Sequence, residues 1–204
     1  MSLDFRVPSN LWFTPATGRN DPVPSLGHGG GMDTSRLPAP VKATMAGFLT
    51  AELTTISPRG APLTWPVLPS VEWETGRIAV VTSIGLPQKA YNIRHTPDVC
   101  LLFSEQTGSG LADPLSVLVE GSAQVSDRIV TSFEEIDDPA LRHSLERDGI
   151  ALLRRQPAVR IYASNPLARA LMDWYFFRLL IVVTPRRISW GRGERRGWER
   201  LDVA

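Results

Sequence analysis

The 204-residue sequence predicts a mainly β, α+β protein: six antiparallel strands closed into a small barrel, with a short helix ahead of them and a helical insertion before the last strand. Three observations predict this fold class. Short apolar runs recur between tight turns, and one alternates clearly: Val117, Val119, Gly121, Ala123 and Val125 against Leu118, Glu120, Ser122 and Gln124. Turns of a few residues join the early runs, and such short connections demand antiparallel pairing. No second sheet's worth of sequence remains, so six strands remove their edges most simply by closing on themselves.

The elements follow in order. Residues 1–37 read as an N-terminal arm, with Pro8, Pro15, Pro22 and Pro24 and the run Gly27 to Gly31 broken only by His28, and neither periodicity visible. Leu11, Trp12 and Phe13 are its clustered apolar anchors, expected to dock on the barrel or a partner subunit. The second unit, 38–204, carries the barrel. Pro38 to Ala46 reads as a short helix, with proline in the first turn where a missing N–H costs nothing. Phe48 to Ile56 and Leu63 to Val71 read as a hairpin around Ser57-Pro58-Arg59-Gly60. Pro66 and Pro69 remove two ladder donors from its second strand, which points to an edge, a bulge or a strand lying against a ligand. After the turn Glu74-Thr75-Gly76 comes a strand from Arg77 to Ser83, then two helical turns from Pro87 to His95, ending before Pro97. Val99 to Ser104 is a fourth strand, 106–114 a Gly-rich loop, and Leu115 to Val125 a half-exposed fifth.

The helical block spans 132–176. Leu141, Leu145 and Leu152 keep a helical spacing in its first part; Asn165 as cap and Pro166 as first residue start a second helix, with Leu167, Ala170, Leu171 and Trp174 on one face. Leu179 to Thr184 is the closing strand, which Arg187 to Trp190 could extend past Pro185.

Composition removes several function classes. A single cysteine allows no internal disulfide and no zinc site built from several thiolates. No apolar run reaches the roughly 18 residues of a membrane span, and the first residues lack the apolar core of a signal peptide, so a soluble cytoplasmic protein without membrane contact is the expectation. A net charge of +1 gives no nucleic-acid footprint. The basic residues are 20 Arg and only 2 Lys, Lys42 and Lys89; the Arg excess reads as genome composition, and against it a lysine is informative.

Protein-based catalysis finds no support. His28, His95 and His143 lack metal-ligand spacing, no G-x-S-x-G elbow occurs, and no G-K-[ST] follows the glycine run. Cys100 reads as a small core residue, and Glu134-Glu135 and Asp137-Asp138 as helix-start acids rather than metal ligands. What remains is the stretch from Val81 to Asn92. A strand ends in the hydroxyls of Thr82 and Ser83, a Gly85 turn follows, and Lys89 sits in the first turn of a helix. Hydroxyls, free N–H groups and an ammonium can cradle a phosphate; the plainer reading is strand-to-helix punctuation with a surface lysine.

The serial order of these pieces resembles the flavin-binding split β-barrel family, the pyridoxamine 5′-phosphate oxidase-like proteins. The carrying motifs are the hairpin Leu53 to Val67, the strand ending Thr82-Ser83, Lys89-x-x-Asn92, Pro97-Asp98-Val99 and Val119-x-Gly121-x-Ala123. They cover 38–127 well and 178–191 loosely. The resemblance implies a split barrel binding FMN, or the deazaflavin F420 as alternative, at a homodimer interface. It implies that Thr82, Ser83 and Lys89 hold the phosphate or tail, with Gln88 and Asn92 beside them, and that Thr64, Trp65, Pro66 and Val67 lie along the ring. It implies hydride transfer to or from a small planar organic substrate, the protein supplying binding and orientation, so no catalytic side chain is named. Where many members have Arg before the Lys, this chain has Gln88, a loss of about 1–2 kcal/mol of grip on a dianion. The long helical block and the arm are further departures. Trp12, Trp174, Tyr175, Phe176, Phe177 and Trp190 either wall the substrate or pack as core. The alternative is a split barrel that binds flavin or haem without turnover; a haem would need His28, His95 or His143 as its axial ligand.

Overall fold

A computed structural model describes residues 31–107, 109–130, 132–155 and 178–203. The element order is α1 (Ala39–Gly47), β1 (Ala51–Ile56), β2 (Pro62–Val67), β3 (Pro69–Val71), β4 (Ile78–Ser83), α2 (Gln88–His95), β5 (Asp98–Phe103), β6 (Ser116–Val130), α3 (Pro139–Arg155), β7 (Arg178–Gly191) and β8 (Glu199–Asp202). All pairings are antiparallel, in the order β2-β1-β5-β6-β7-β4-β3, with β8 on β7. The ladder is not closed. Its two end strands, β2 and β3, are joined through the single residue Leu68, so the sheet curls until its edges become neighbours along the chain. This is a mainly antiparallel split barrel with a short N-terminal helix.

The strand count of six is corrected to eight among the described residues. The run from Leu63 to Val71 is two strands, because the chain leaves one sheet edge and joins the other at Leu68; the prolines mark edges, where the lost donor has no partner to miss. The sequence expectation also missed β8, a polar strand with two Arg or Glu residues at its start and no apolar alternation to signal it. β1 starts at Ala51 rather than Phe48, and β6 runs on to Val130. Pro185 does not end β7: the β6–β7 register shifts between Glu120 and Gly121, a bulge that absorbs the extra residue Arg186.

Alternation sorts the sheet into two faces. The inner face, with α1, builds the main core from Val41, Met45, Leu53, Ile78, Val80, Leu101, Phe103, Val117, Val119, Ile181 and Ile188. Met32 and Leu37 belong to it as well, at 2% and 3% exposed, so the core takes in residues ahead of Pro38. The turn before β4 needs Gly76, at φ +70°, where a Cβ would meet the Met32 carbonyl oxygen at 2.6 Å. The outer face of β4 and β7 is covered by α3: Leu141 and Leu145 pack on Ala79, Leu180 and Val182. Within the helical block, α3 therefore has a structural task, sealing the second face of the sheet. Polar ties fix α3 there. Asp138 accepts from the N–H groups of Ala140 and Leu141 and from Arg77 at 2.7 Å, Ser70 donates to Asp148 at 2.5 Å, and Arg147 donates to the Val71 carbonyl at 3.1 Å. Cys100, expected in the core, lies half-buried on the outward face of β5, since alternation gives the inside to Val99, Leu101 and Phe103. No described helix is long and apolar enough to cross a membrane.

Candidate functional site

The site is built where α2 lies against the β1–β2 end of the sheet. Directly paired residues share a face, so Leu53 with Trp65 and Thr55 with Leu63 point to the side on which α2 packs. Glu52 with Pro66 and Thr54 with Thr64 point to the other; the Thr54 and Thr64 hydroxyls are 2.8 Å apart. The four consecutive β2 candidates thus divide: Trp65 and Val67 lie on the α2 side, Thr64 and Pro66 on the opposite face.

On α2, Lys89 and Asn92 stand at i and i+3 and share a face; Gln88 and Asn92 stand at i and i+4. Asn92 is fully buried and donates to the Thr55 hydroxyl at 2.9 Å, while Gln88 donates to the Asn92 side-chain oxygen at 2.9 Å. This chain of amides pins the helix to β1. Thr55 did not figure among the sequence candidates. Its signal was present: a hydroxyl residue in the apolar phase of an alternating strand needs a polar partner.

Lys89 is the unusual group. Its side chain is buried, 7% exposed, and its Nζ lies 5.6 Å from the centroid of the Trp65 ring. Among the described residues no carboxylate pairs with it, and burial pushes its pKa below the ordinary 10.5. Partial burial of an ammonium without a counter-charge costs free energy, since burial disfavours the charged form.

The hydroxyls expected beside it are occupied within their own turn. Thr82 donates to the Leu86 carbonyl at 3.2 Å, and the Ser83 hydroxyl accepts from the Gly85 N–H at 3.2 Å. Both residues are buried, and alternation at the end of β4 sends their side chains to opposite faces. They shape the β4–α2 connection and set the position of Lys89 one turn on. No hydrogen bond joins either hydroxyl to Lys89. Leu86 at 58% and Leu63 at 37% are exposed apolar residues at this end of the molecule.

Other candidates sit elsewhere. His95 and His143 are exposed, and His95 contacts the Tyr91 carbonyl through Nδ1 at 2.9 Å. Trp190 is 8% exposed and packs in the main core. No group of three metal-ligating side chains occurs among the described residues. A cleft of about 250 Å³ lined by Phe48, Ser104, Asp113, Ser116 and Arg192 contains none of the candidates. Leu11, Trp12, Phe13, His28, the helix expected from Asn165, and Trp174, Tyr175, Phe176 and Phe177 lie outside the described residues.

No protein-family model and no curated protein matches the sequence. Solved structures do match in fold. One reaches a TM-score of 0.51 at 19% identity, covering 81% of this chain and 93% of that chain. A protein related to general stress protein 26 from Clostridium acetobutylicum, of the pyridoxinephosphate oxidase family, has a TM-score of 0.49 at 11% identity, covering 80% of this chain and 92% of that one. The heme-binding protein of Mycobacterium smegmatis has a TM-score of 0.48 at 15% identity, covering 82% of this chain and 59% of that one. The structural neighbours of this chain are therefore pyridoxamine 5′-phosphate oxidase-like, general stress protein 26 and heme-binding split-barrel proteins, the family that its motif order resembles, and at these identities the likeness is one of fold.

Proposed function

We propose that the chain binds FMN, or alternatively F420, through an anionic group at Lys89, and that it is an oxidoreductase acting on a small planar organic substrate. The observation that carries this reading is the buried Lys89 side chain, whose ammonium has no carboxylate partner among the described residues. The donor set fits one anionic oxygen group. Lys89 supplies the charge, and Gln88, a neutral amide, adds none and donates to Asn92. Bound flavin or deazaflavin would supply the hydride chemistry at its ring. The chain's own residues bind and orient. Lys89 takes the anion, Asn92 and Thr55 hold α2 at its height over β1, and the half-buried Trp65 places its ring beneath the charge. In this reading the unit is a homodimer, with the exposed Leu63, Leu68 and Leu86 contributing to the covered surface.

The test is direct. The purified protein is examined for flavin, F420 or haem absorption and titrated with FMN and with F420. Binding of either, with hydride transfer to a planar acceptor, supports the proposal. Binding without turnover on any acceptor turns it into a flavin-carrying or sensing role. A haem Soret band, or no affinity for either cofactor, overturns it. Light scattering then reads the mass: a monomer at micromolar concentration would refute the dimer.

A further inference from the structure

We propose that Trp65 is a positioning residue for Lys89: its ring stands in for a counter-charge and holds the ammonium where an incoming anion meets it. The inference rests on the reading of Lys89 as the anion-binding cation, and it adds a role for a residue of β2 that otherwise reads as a ring contact.

Three observations support it. The Nζ of Lys89 is 5.6 Å from the Trp65 ring centroid, within the range at which an aromatic face attracts a cation. Lys89 shows no other polar partner among the described residues, so no other described group fixes the end of its flexible four-carbon stem. The ring is itself held in place: Trp65 pairs with Leu53 across the β1–β2 ladder, and β1 is anchored to α2, on which Lys89 sits, through Thr55 and Asn92. Tryptophan on β2 and lysine on α2 are thus both fixed to β1, one through the strand ladder and the other through a buried hydrogen bond. A carboxylate in place of the ring would neutralise the ammonium and compete with the ligand. A π face attracts the cation without neutralising it, so the full charge stays available.

The chain's two lysines make the test clean. Protein labelled with ¹³C,¹⁵N-lysine gives two side-chain signal sets, assigned with Lys42→Arg. The probe is inorganic phosphate, so the outcome does not depend on which flavin binds. In the wild type the Lys89 signals should be displaced by the ring current of Trp65 and should move on phosphate addition. In Trp65→Leu the ring-current displacement should vanish and the phosphate Kd should rise about three- to tenfold. Trp65→Phe, which keeps a π face, should restore most of both. Comparison of FMN with riboflavin, which lacks the phosphate, completes the test: Trp65→Leu should weaken FMN and leave riboflavin unchanged. The proposal is overturned if the Lys89 signals do not respond to Trp65→Leu, if phosphate leaves them unmoved in the wild type, or if FMN and riboflavin weaken equally. Equal weakening would make Trp65 a ring contact while leaving the flavin reading standing. A phosphate response without flavin affinity would refute that reading and keep the pair.

Discussion

Replacing Lys89 with methionine should stabilise the fold while weakening anion binding, two effects of opposite sign from one buried charge. The side chain is 7% exposed, and burial works against its charged form. Methionine has similar length, fills the same space and needs no solvation. The Trp65 ring offsets part of the lysine's cost, by about 0.5–2 kcal/mol, and methionine keeps a favourable sulfur–aromatic contact in exchange. Single stabilising substitutions commonly yield about 0.5–2 kcal/mol. For a chain of this size each kcal/mol moves Tm by about 2–4 °C, so a rise of about 1–8 °C is expected. Binding moves the other way. A charge-assisted hydrogen bond contributes about 1.5–3 kcal/mol, so the Kd for FMN should rise about 10- to 150-fold. Calorimetry without ligand and a fluorescence titration with FMN read the two effects. A Tm that falls would refute the argument, because it would mean that the lysine's interactions exceed its burial cost. An unchanged Kd would remove Lys89 from the site.

Further expectations concern pH and the supports of the site. Because burial lowers the Lys89 pKa, anion affinity should fall as pH rises through that lowered value, below 10.5, while the stability of the ligand-free chain rises between that value and 10.5 as the ammonium sheds its proton. Lys89→Arg keeps its charge, so an affinity that still falls at the same pH would place the titrating group elsewhere. Arg77→Met should cost about 3–5 kcal/mol, since Arg77 is 5% exposed, bonds Asp138 at 2.7 Å and Thr75 at 2.8 Å, and lies 3.8 Å from the buried Glu72; urea unfolding with a loss under about 1 kcal/mol would show the network to be idle. Burial pushes the Asp138 carboxyl up, but the Leu141 N–H and Arg77 outweigh it and hold the pKa below the ordinary range, so this contribution should persist until the pH falls below about 4. Gly121→Ala should cost about 1–3 kcal/mol by thermal unfolding, because its Cβ would sit 2.3 Å from the Thr184 carbonyl oxygen across the β6–β7 bulge; a neutral result would mean that the bulge gives way.

Local chemistry was enough for the elements whose signals are periodic or punctuated. Alternation from Val117 to Val125 marks an antiparallel strand with a fixed inner face, and Pro40 in a first turn and Gly76 after Thr75 mark a helix start and a tight turn, because each depends on the backbone preferences of a few residues. Lys89 and Asn92 were legible as a helix face for the same reason: three residues is nearly one turn. Their partners were not, because a partner is chosen by pairing between segments far apart in the chain. Thr55 meets Asn92 from 37 residues away, and Trp65 meets Lys89 only because β2 takes the edge beside β1. The split of Leu63–Val71 at Leu68, the strand β8 and the sealing of the β4–β7 face by α3 were likewise decided by which edges and faces the curled sheet left uncovered. The sequence by itself determined a small antiparallel barrel with a lysine at a strand-to-helix turn. Only the tertiary structure buried that lysine against an aromatic ring with no carboxylate among its described neighbours, because burial and charge pairing belong to the packed sheet and not to any one segment of it.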